Sequence, residues 1–201
     1  MWTLRSSPTS PFGRKVRIGA ALCGLTERIT VQGTDTVDPA DTILTQNPLG
    51  KVPTLLLEDG TALYDSRVIL EWLDEQAGGG RIIPAGAERY PALTLQALAD
   101  GILDANVLIV YEARFRPAEK HHQPWLDRQD EKVARSLRAL EADPPAPGGP
   151  YHVGHIALAC ALGHRDHRFA GRWRASCPRL QAWQEDFAAA VPSYAASAPP
   201  P

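Results

Sequence analysis

The sequence predicts a small α/β domain followed by an all-helical domain (α/β + all-α). Short apolar segments of strand length alternate with amphipathic helical patterns in the first part of the chain, whereas from Pro91 onward the apolar spacing is only helical. Gly78-Gly79-Gly80 stops a helix between the two parts. We therefore expect domains at residues 1–78 and 88–201, with a linker between them.

Composition excludes several classes of protein. The chain has 201 residues, of which 44% are hydrophobic and 22% charged, as expected for a globular protein with a buried core. Its net charge of −2 gives no support for nucleic-acid binding, and no apolar run approaches the ~20 residues that span a membrane. Three widely spaced cysteines without a Cys-x-x-Cys pattern predict free thiols in a reducing cytoplasm.

The first part contains a helix with clear start and stop signals. Ser10 is a natural N-cap, Pro11 suits the first helical position, and Gly24 ends the helix. We predict strands at Trp2–Leu4, Arg28–Val31, Thr54–Leu57 and Thr61–Tyr64, a helical turn near Asp41–Thr45, and a further helix for which Ser66 is the N-cap.

The second part is expected to contain four helices. A long helix begins near Pro91 and ends at Pro117, because proline breaks a helix interior. The others are predicted at Gln123–Ala142, at Val153–Leu162 and from Pro178 onward, with a frayed tail at Ser197–Pro201.

Two motifs flank the strand pair Thr54–Leu57 and Thr61–Tyr64, one before the first strand and one between the second strand and the next helix. The first is Asn-Pro-Leu-Gly-Lys-Val-Pro at residues 47–53, and the second is Tyr-Asp-Ser at residues 64–66. If the Val52–Pro53 bond is cis, the Val52 N–H and C=O turn outward and pair with an extended peptide. A nearby helix N-terminus then offers N–H groups to that peptide's carboxylate. At this spacing, the motifs resemble the glutathione-binding half of a bacterial, serine-type, theta/zeta-like cytosolic glutathione transferase.

The resemblance implies a thioredoxin-like N-terminal domain and a site for glutathione, which serves as co-substrate with no other cofactor. In such a site Val52 and Pro53 pair with the peptide. Ser66 gives its hydroxyl and N–H to the γ-glutamyl carboxylate, and Asp65 takes the ammonium group. Lys51 faces the glycyl carboxylate, or is an ordinary solvated lysine.

Glutathione must be held as a thiolate to act as a nucleophile near pH 7. A hydroxyl donor and the positive end of a helix stabilise that anion. By its position before the first helix, Ser10 is the predicted catalytic donor, with Thr9 as the alternative and Ser7 as a weaker one. The alternative role of Ser10 is that of a helix cap alone. No cysteine lies within Ser6–Phe12, which argues against members that use their own cysteine.

The electrophile pocket is expected between the first helix and the long helix. Arg114 either binds an acidic substrate or developing negative charge, or satisfies carbonyls at its helix end. Asp100 and Asp104 belong to the helix that lines the dimer interface in this family. One of them reaches glutathione in the neighbouring subunit, or both are interface or surface carboxylates. The residues predicted to line the pocket are Pro11, Phe12, Tyr111, Arg114 and Phe115.

The six histidines fall into three pairs, which do not predict a metal site: His121 and His122, His152 and His155, and His164 and His167. Residues at i and i+3 on a helix can bind metal, but no acidic or cysteine partner completes a site. His152 and His155 stand where the family carries a Ser/Thr-x-x-Asp capping box, which raises the question of how that helix is capped.

The resemblance implies that the protein is a cytoplasmic, homodimeric glutathione transferase with a role in detoxification. The glutathione thiolate, assisted by Ser10, attacks a small hydrophobic electrophile. One alternative is disulfide or peroxide reduction, ether cleavage or isomerisation at the same site. The other is a non-catalytic glutathione-fold binding or regulatory protein.

Overall fold

A computed structural model describes residues 1–200, so that Pro201 of the predicted tail lies outside the described residues. The N-terminal part contains a mixed four-stranded sheet with the order β2-β1-β3-β4. The strands β1 and β2 are parallel, whereas β3 is antiparallel to both β1 and β4. The bounds are β1 Trp2–Ser6, β2 Ile29–Gly33, β3 Thr54–Leu56 and β4 Ala62–Leu63.

Three helices accompany this sheet, as the mixed α/β pattern predicts. The parallel pair β1 and β2 requires a crossover, which α1 provides. Leu4 and Leu55 from the sheet, together with Val16 and Ile69 from the helices, are completely buried in the shared core. The bounds are α1 Pro11–Leu22, α2 Ile43–Gln46 and α3 Ser66–Gln76.

A buried arginine holds the polar segment after β2 against the sheet. Arg5 in β1 is 2% exposed, and its guanidinium donates to Asp41 Oδ1 at 2.6 Å. It also donates to Thr34, Thr42 and Gln46. A buried guanidinium needs such partners because its five donors cannot be left unsatisfied.

The C-terminal part is helical, and α6 lies at its centre. The first three turns of α6 are buried on every side, because α6 packs against both α4 and α1. By length and composition alone α4 could cross a membrane, but one face of it packs against α5 and α6. The bounds are α4 Arg89–Phe115, α5 Gln123–Ala142, α6 Val153–Phe169, α7 Pro178–Ala190 and α8 Pro192–Ala196.

Two features of this part differ from the prediction. The third predicted helix continues past Leu162 to Phe169, because Gly163 sits inside the helix at a close approach to the Tyr194 hydroxyl. The chain near Ser197 is not frayed: Ser197 is 5% exposed, and α8 precedes it. Arg14 of α1 donates to the Tyr194 carbonyl at 2.6 Å and holds this end of the chain in place.

The N-terminus of α6 is capped by two histidines. His152 Nδ1 accepts the Gly154 N–H at 3.1 Å, and His155 Nδ1 accepts the His152 N–H at 3.3 Å. The two rings are stacked with their centroids 3.7 Å apart. The pair therefore performs the role of a capping box, which answers the question raised by the missing Ser/Thr-x-x-Asp sequence.

This cap requires both rings to be neutral, because a protonated Nδ1 cannot accept a hydrogen bond. Burial, reinforced by the neighbouring His152, lowers the pKa of His155 to about 4. Burial also lowers the pKa of His152, although Glu88 opposes that shift. An unfolded histidine takes up a proton near pH 6.5, so the stabilisation is complete above that pH and is lost as the pH falls toward 4.

We expect His155→Asn to reduce the acid sensitivity of the protein, because asparagine keeps an acceptor for the His152 N–H and does not titrate. Between pH 7 and pH 5, the free energy of unfolding of the variant should fall by about 2 kcal/mol less than that of the wild type. Urea unfolding at both pH values measures this difference. The exposed His122→Asn variant is the control, and equal pH dependence in all three proteins would contradict the role of the cap.

Candidate functional site

The turn between β1 and α1 presents the predicted hydroxyl donor at a helix N-terminus. Ser10 Oγ accepts the Gly13 N–H at 3.0 Å, which confirms Ser10 as the N-cap of α1. A Cβ at position 13 would lie 2.0 Å from Ser6 Oγ, so glycine is required for this close packing. Because a hydroxyl accepts and donates at the same time, Ser10 retains its own proton for a second partner.

A narrow cleft opens beside this turn, lined on one side by Thr9, Ser10 and Pro11 and on the other by α6. Three titratable residues of α6, Cys160, His164 and His167, contribute to its wall. Burial raises the pKa of the Cys160 thiol to about 11 and lowers the pKa of His164 to about 4. At neutral pH the cleft therefore holds a protonated thiol and a neutral imidazole.

The predicted peptide-binding turn is organised by Asn47. Its side-chain N–H donates to the Lys51 carbonyl at 3.0 Å and to Thr54 Oγ1 at 3.1 Å, and its oxygen accepts the Leu49 N–H. Asn47 is 1% exposed, and the sequence analysis assigned it no role. The Val52–Pro53 peptide is cis, as expected, and Lys51 is exposed at the edge of the turn.

The second motif forms the start of α3, with one correction. The N-cap is Asp65 and not Ser66, because the Asp65 carboxylate accepts the Arg67 N–H at 2.8 Å while Ser66 is the first helical residue. A carboxylate at the cap reaches the N–H two residues on, as Asp commonly does at this position. The Ser66 hydroxyl is directed inward instead, and the residue is 2% exposed.

Arg67 was missed by the sequence analysis and pairs with Asp65 at the same helix end. Its guanidinium donates to Asp65 Oδ2 at 2.8 Å, and its Nε lies 3.9 Å from Asp100 Oδ2. Partial burial alone would raise the pKa of Asp65, but the hydrogen bonds from Arg67 outweigh it and lower that pKa. Asp65 is therefore ionised at neutral pH and already has one cationic partner.

The unforeseen centre of the site is Lys15 of α1. Its side chain is 0% exposed, and Nζ donates to Asp100 Oδ1 at 2.5 Å and to Ser66 Oγ at 3.2 Å. The signal in the sequence is its position, four residues after Pro11 and three before Ile18, on the apolar face of α1. A lysine on such a face must find a buried partner.

The two aspartates of α4 have different surroundings. Asp100 is 5% exposed and pairs with Lys15 of the same chain, so it is not the surface carboxylate that the sequence analysis considered. Asp104 is exposed. Partial burial and the Asp100 charge raise the pKa of Asp104, whereas Arg67, Lys51 and Lys15 act in the opposite direction. The charged side chains that act on Asp104 therefore lie close together around the start of α3.

The residues predicted for the electrophile pocket fall into two groups. Pro11 lines the cleft at Ser10, and the Phe12 ring lies 5.7 Å from Lys15 Nζ. Tyr111 and Phe115 meet edge to face at 5.0 Å and are both exposed, and the Arg114 guanidinium lies 5.2 Å from the Phe115 ring. Tyr111 follows Asp100 by about 16 Å along α4. A shared pocket for the two groups stays a prediction.

Family comparisons agree with this architecture. Residues 9–76 match the family described as glutathione S-transferase, N-terminal domain, and residues 123–185 match the corresponding C-terminal domain. Over 186 residues the chain is 36% identical to the uncharacterized GST-like protein YibF of Escherichia coli K12, covering 88% of this chain and 89% of that protein.

Solved structures give the same result. A glutathione transferase family member from Pseudomonas fluorescens Pf-5 with bound glutathione is 40% identical, with a TM-score of 0.90 and full coverage of both chains. A second structure from that organism contains S-(propanoic acid)-glutathione and has a TM-score of 0.86 at 40% identity, again with 100% coverage of both chains. A glutathione S-transferase from Methylobacillus flagellatus with glutathione bound is 35% identical, with a TM-score of 0.87 and 100% coverage of both chains.

These matches define a class with a thioredoxin-like N-terminal part, a helical C-terminal part and glutathione as the bound molecule. The chain belongs to the glutathione S-transferase family.

We expect Asp100→Ala to destabilise the fold by about 3–5 kcal/mol, because it leaves the enclosed Lys15 ammonium without its counter-ion. The matched control is Asp104→Ala, one helical turn away and exposed, which should change the free energy of unfolding by no more than about 0.5 kcal/mol. Urea unfolding monitored by circular dichroism compares the two. Equal stability of both variants would show that the Lys15–Asp100 pair is not needed for folding.

Proposed function

We propose that this protein is a glutathione transferase that holds the glutathione thiol as a thiolate for attack on a small hydrophobic electrophile. The observation that carries the proposal is Ser10, whose oxygen is engaged as the cap of α1 while its proton remains available. The glutathione thiol has an unperturbed pKa of roughly 8.5. A hydroxyl donor together with the positive end of α1 lowers that pKa toward the working pH.

Two segments are suited to hold the peptide so that its sulfur reaches Ser10. The Val52 backbone precedes β3 and pairs with the cysteinyl part in an extended conformation. The N-terminus of α3, with the Ser66 N–H and hydroxyl, receives the γ-glutamyl carboxylate. Asp65 receives the ammonium group and shares its carboxylate with Arg67, and the exposed Lys51 faces the glycyl carboxylate.

The electrophile is then placed between Pro11 and Phe12 on one side and the end of α4 on the other, where Tyr111, Arg114 and Phe115 are exposed. In the reaction the S–H bond breaks and its proton goes to solvent, a carbon–sulfur bond forms, and the bond from that carbon to the leaving group, such as the halide of an aryl halide, breaks with its electron pair leaving on the halide. A Pseudomonas fluorescens relative at 40% identity holds an S-substituted glutathione, the class of compound that conjugation produces.

The buried thiol of Cys160 favours conjugation over disulfide chemistry. Cys160 is the cysteine that lines the cleft at Ser10, within the described part of the chain, and it is 0% exposed. Burial raises the pKa of this thiol to about 11, so it is not a thiolate at neutral pH. A mixed disulfide on the protein needs an accessible thiolate, which Cys160 does not provide.

A homodimer in the cytoplasm completes the proposal. Residues that face solvent on α4 include the small residues Ala97 and Gly101, and exposed Val68 and Leu108 add apolar surface on α3 and α4. Small residues let a second helix approach closely, which suits a symmetric contact between two copies. The three cysteines are free and buried, in keeping with a reducing compartment. Conjugation of electrophiles there would serve detoxification.

Ser10→Ala should lower the turnover of a conjugation assay about tenfold or more and raise the pKa of the bound thiol. Glutathione affinity should change little, because residues 51–53 and α3 hold the peptide. Stopped-flow conjugation of an activated aryl halide over a range of pH measures the turnover and the pKa of the bound thiol. Circular dichroism is recorded first, since loss of the cap costs about 1 kcal/mol of stability.

The neighbouring hydroxyls provide matched controls for this experiment. Thr9→Ala and Ser7→Ala remove a hydroxyl from the same turn, and both should retain turnover if Ser10 is the donor. Full turnover in Ser10→Ala together with loss in Thr9→Ala would move the assignment to Thr9. Full turnover in all three variants would contradict the serine-type mechanism, whereas no turnover in the folded wild-type protein would favour a binding protein or another glutathione chemistry.

Ala97→Glu should convert the proposed dimer to a monomer, because it places a charge in the centre of the α4 face. Ala139→Glu, an identical substitution on the exposed side of α5, should leave the dimer intact. Sedimentation equilibrium gives the mass of each protein. A wild-type protein that sediments as a monomer would contradict the dimer without affecting the glutathione site.

A further inference from the structure

The Lys15 ammonium is enclosed between α1, α3 and α4. Its side chain is 0% exposed, and it donates to Asp100 Oδ1 and Ser66 Oγ. Enclosing an ammonium is costly even when it is paired, and an apolar residue of similar size often serves stability equally well. The ion pair alone therefore does not account for a lysine at this position. A hydrogen bond to the Ser66 hydroxyl is something that no apolar side chain supplies.

The direction of this hydrogen bond determines what the Ser66 hydroxyl can do. An ammonium group only donates, so the Ser66 oxygen is the acceptor and keeps its own proton for another partner. Among residues 1–200, the Ser66 hydroxyl makes one hydrogen bond, which it accepts from Lys15, and no acceptor there takes the Ser66 proton. A hydroxyl that accepts from a cation is also a stronger donor. A carboxylate bound at the N-terminus of α3 is therefore a suitable acceptor for the Ser66 hydroxyl proton.

Asp100 keeps the ammonium in place from the side of α4. Its second oxygen, Oδ2, has no hydrogen-bond partner among the described residues and lies 3.9 Å from Arg67 Nε. Arg67 in turn is paired with Asp65. The positive charges of Lys15 and Arg67 thus balance the negative charges of Asp65 and Asp100. Selectivity for an incoming carboxylate therefore depends on how the donors are oriented, and not on net charge.

We propose that Lys15 is a positioning residue of the glutathione site, which fixes the Ser66 hydroxyl as a donor to the γ-glutamyl carboxylate. This inference rests on the proposed function, because it requires that carboxylate to lie at the N-terminus of α3. Lys15 acts only through Ser66 and does not touch the peptide. Loss of Lys15 therefore affects recognition of the γ-glutamyl carboxylate and not of the remaining peptide.

The test compares two peptides by calorimetric titration. One is glutathione, and the other is 4-aminobutyryl-cysteinyl-glycine, which lacks only the γ-glutamyl carboxylate. Lys15→Met should raise the Kd for glutathione about tenfold and the Kd for the second peptide by no more than about twofold. In kinetics, the KM for glutathione should rise by a larger factor than kcat falls. Lys120→Met, at an exposed position, is the matched control.

A double-mutant cycle tests whether Lys15 acts through Ser66. Ser66→Ala should also raise the Kd for glutathione about tenfold, and the Lys15→Met/Ser66→Ala variant should lie within about twofold of Ser66→Ala alone. Because Lys15→Met leaves the Asp100 charge unpaired, the same measurements are made on Lys15→Met/Asp100→Asn, which removes both charges and should fold if the single variant does not.

Two outcomes would overturn the positioning role while the wild-type protein still binds glutathione. One is an equal loss of affinity for both peptides, and the other is an additive loss in the double variant. A wild-type protein that does not bind glutathione would overturn the proposed function and this inference together. The two failures are therefore distinguishable.

Discussion

The ion pair between Lys15 and Asp100 is the interaction on which the arrangement of the site depends. It joins α1 of the α/β part to α4 of the helical part and lies directly under the N-terminus of α3. Removal of either partner leaves an uncompensated buried charge. The two parts of the chain are therefore fixed to each other at the proposed glutathione site, so that the geometry of this region depends on the packing between them.

The predictable features of this protein were those specified by local sequence. Strands, turns and the Ser10 cap follow from residue types at fixed offsets, and the paired motifs at residues 47–53 and 64–66 were sufficient to indicate the family. Asp65 could not be distinguished from Ser66 as the cap of α3, because both residue types suit that position. Ser66 is the residue that points inward, because its hydroxyl accepts a hydrogen bond from the Lys15 ammonium beneath it.

Some of the features that the sequence analysis missed, Lys15 above all, depend on residues that are far apart along the chain. The partner of Lys15 is 85 residues away, and the acceptor of Arg14 is 180 residues away. A single sequence contains no signal for such pairs except that a charged residue falls on an apolar helical face. The sequence placed His152 and His155 where a capping box is expected, but their competence as a cap became visible only from the geometry of the two rings.

The hydrogen bond from Arg14 to the Tyr194 carbonyl connects the end of the chain to the first turn of α1, where Ser10 lies. Arg14 follows Ser10 by one helical turn, is buried, and stacks its guanidinium 3.9 Å from the Tyr194 ring. A protease cut or premature stop codon before Tyr194 would take away both the acceptor and the ring, and would leave the Arg14 guanidinium without these partners beside the turn that carries Ser10. Truncation before Tyr194, remote from any motif, therefore changes the packing beside the Ser10 turn.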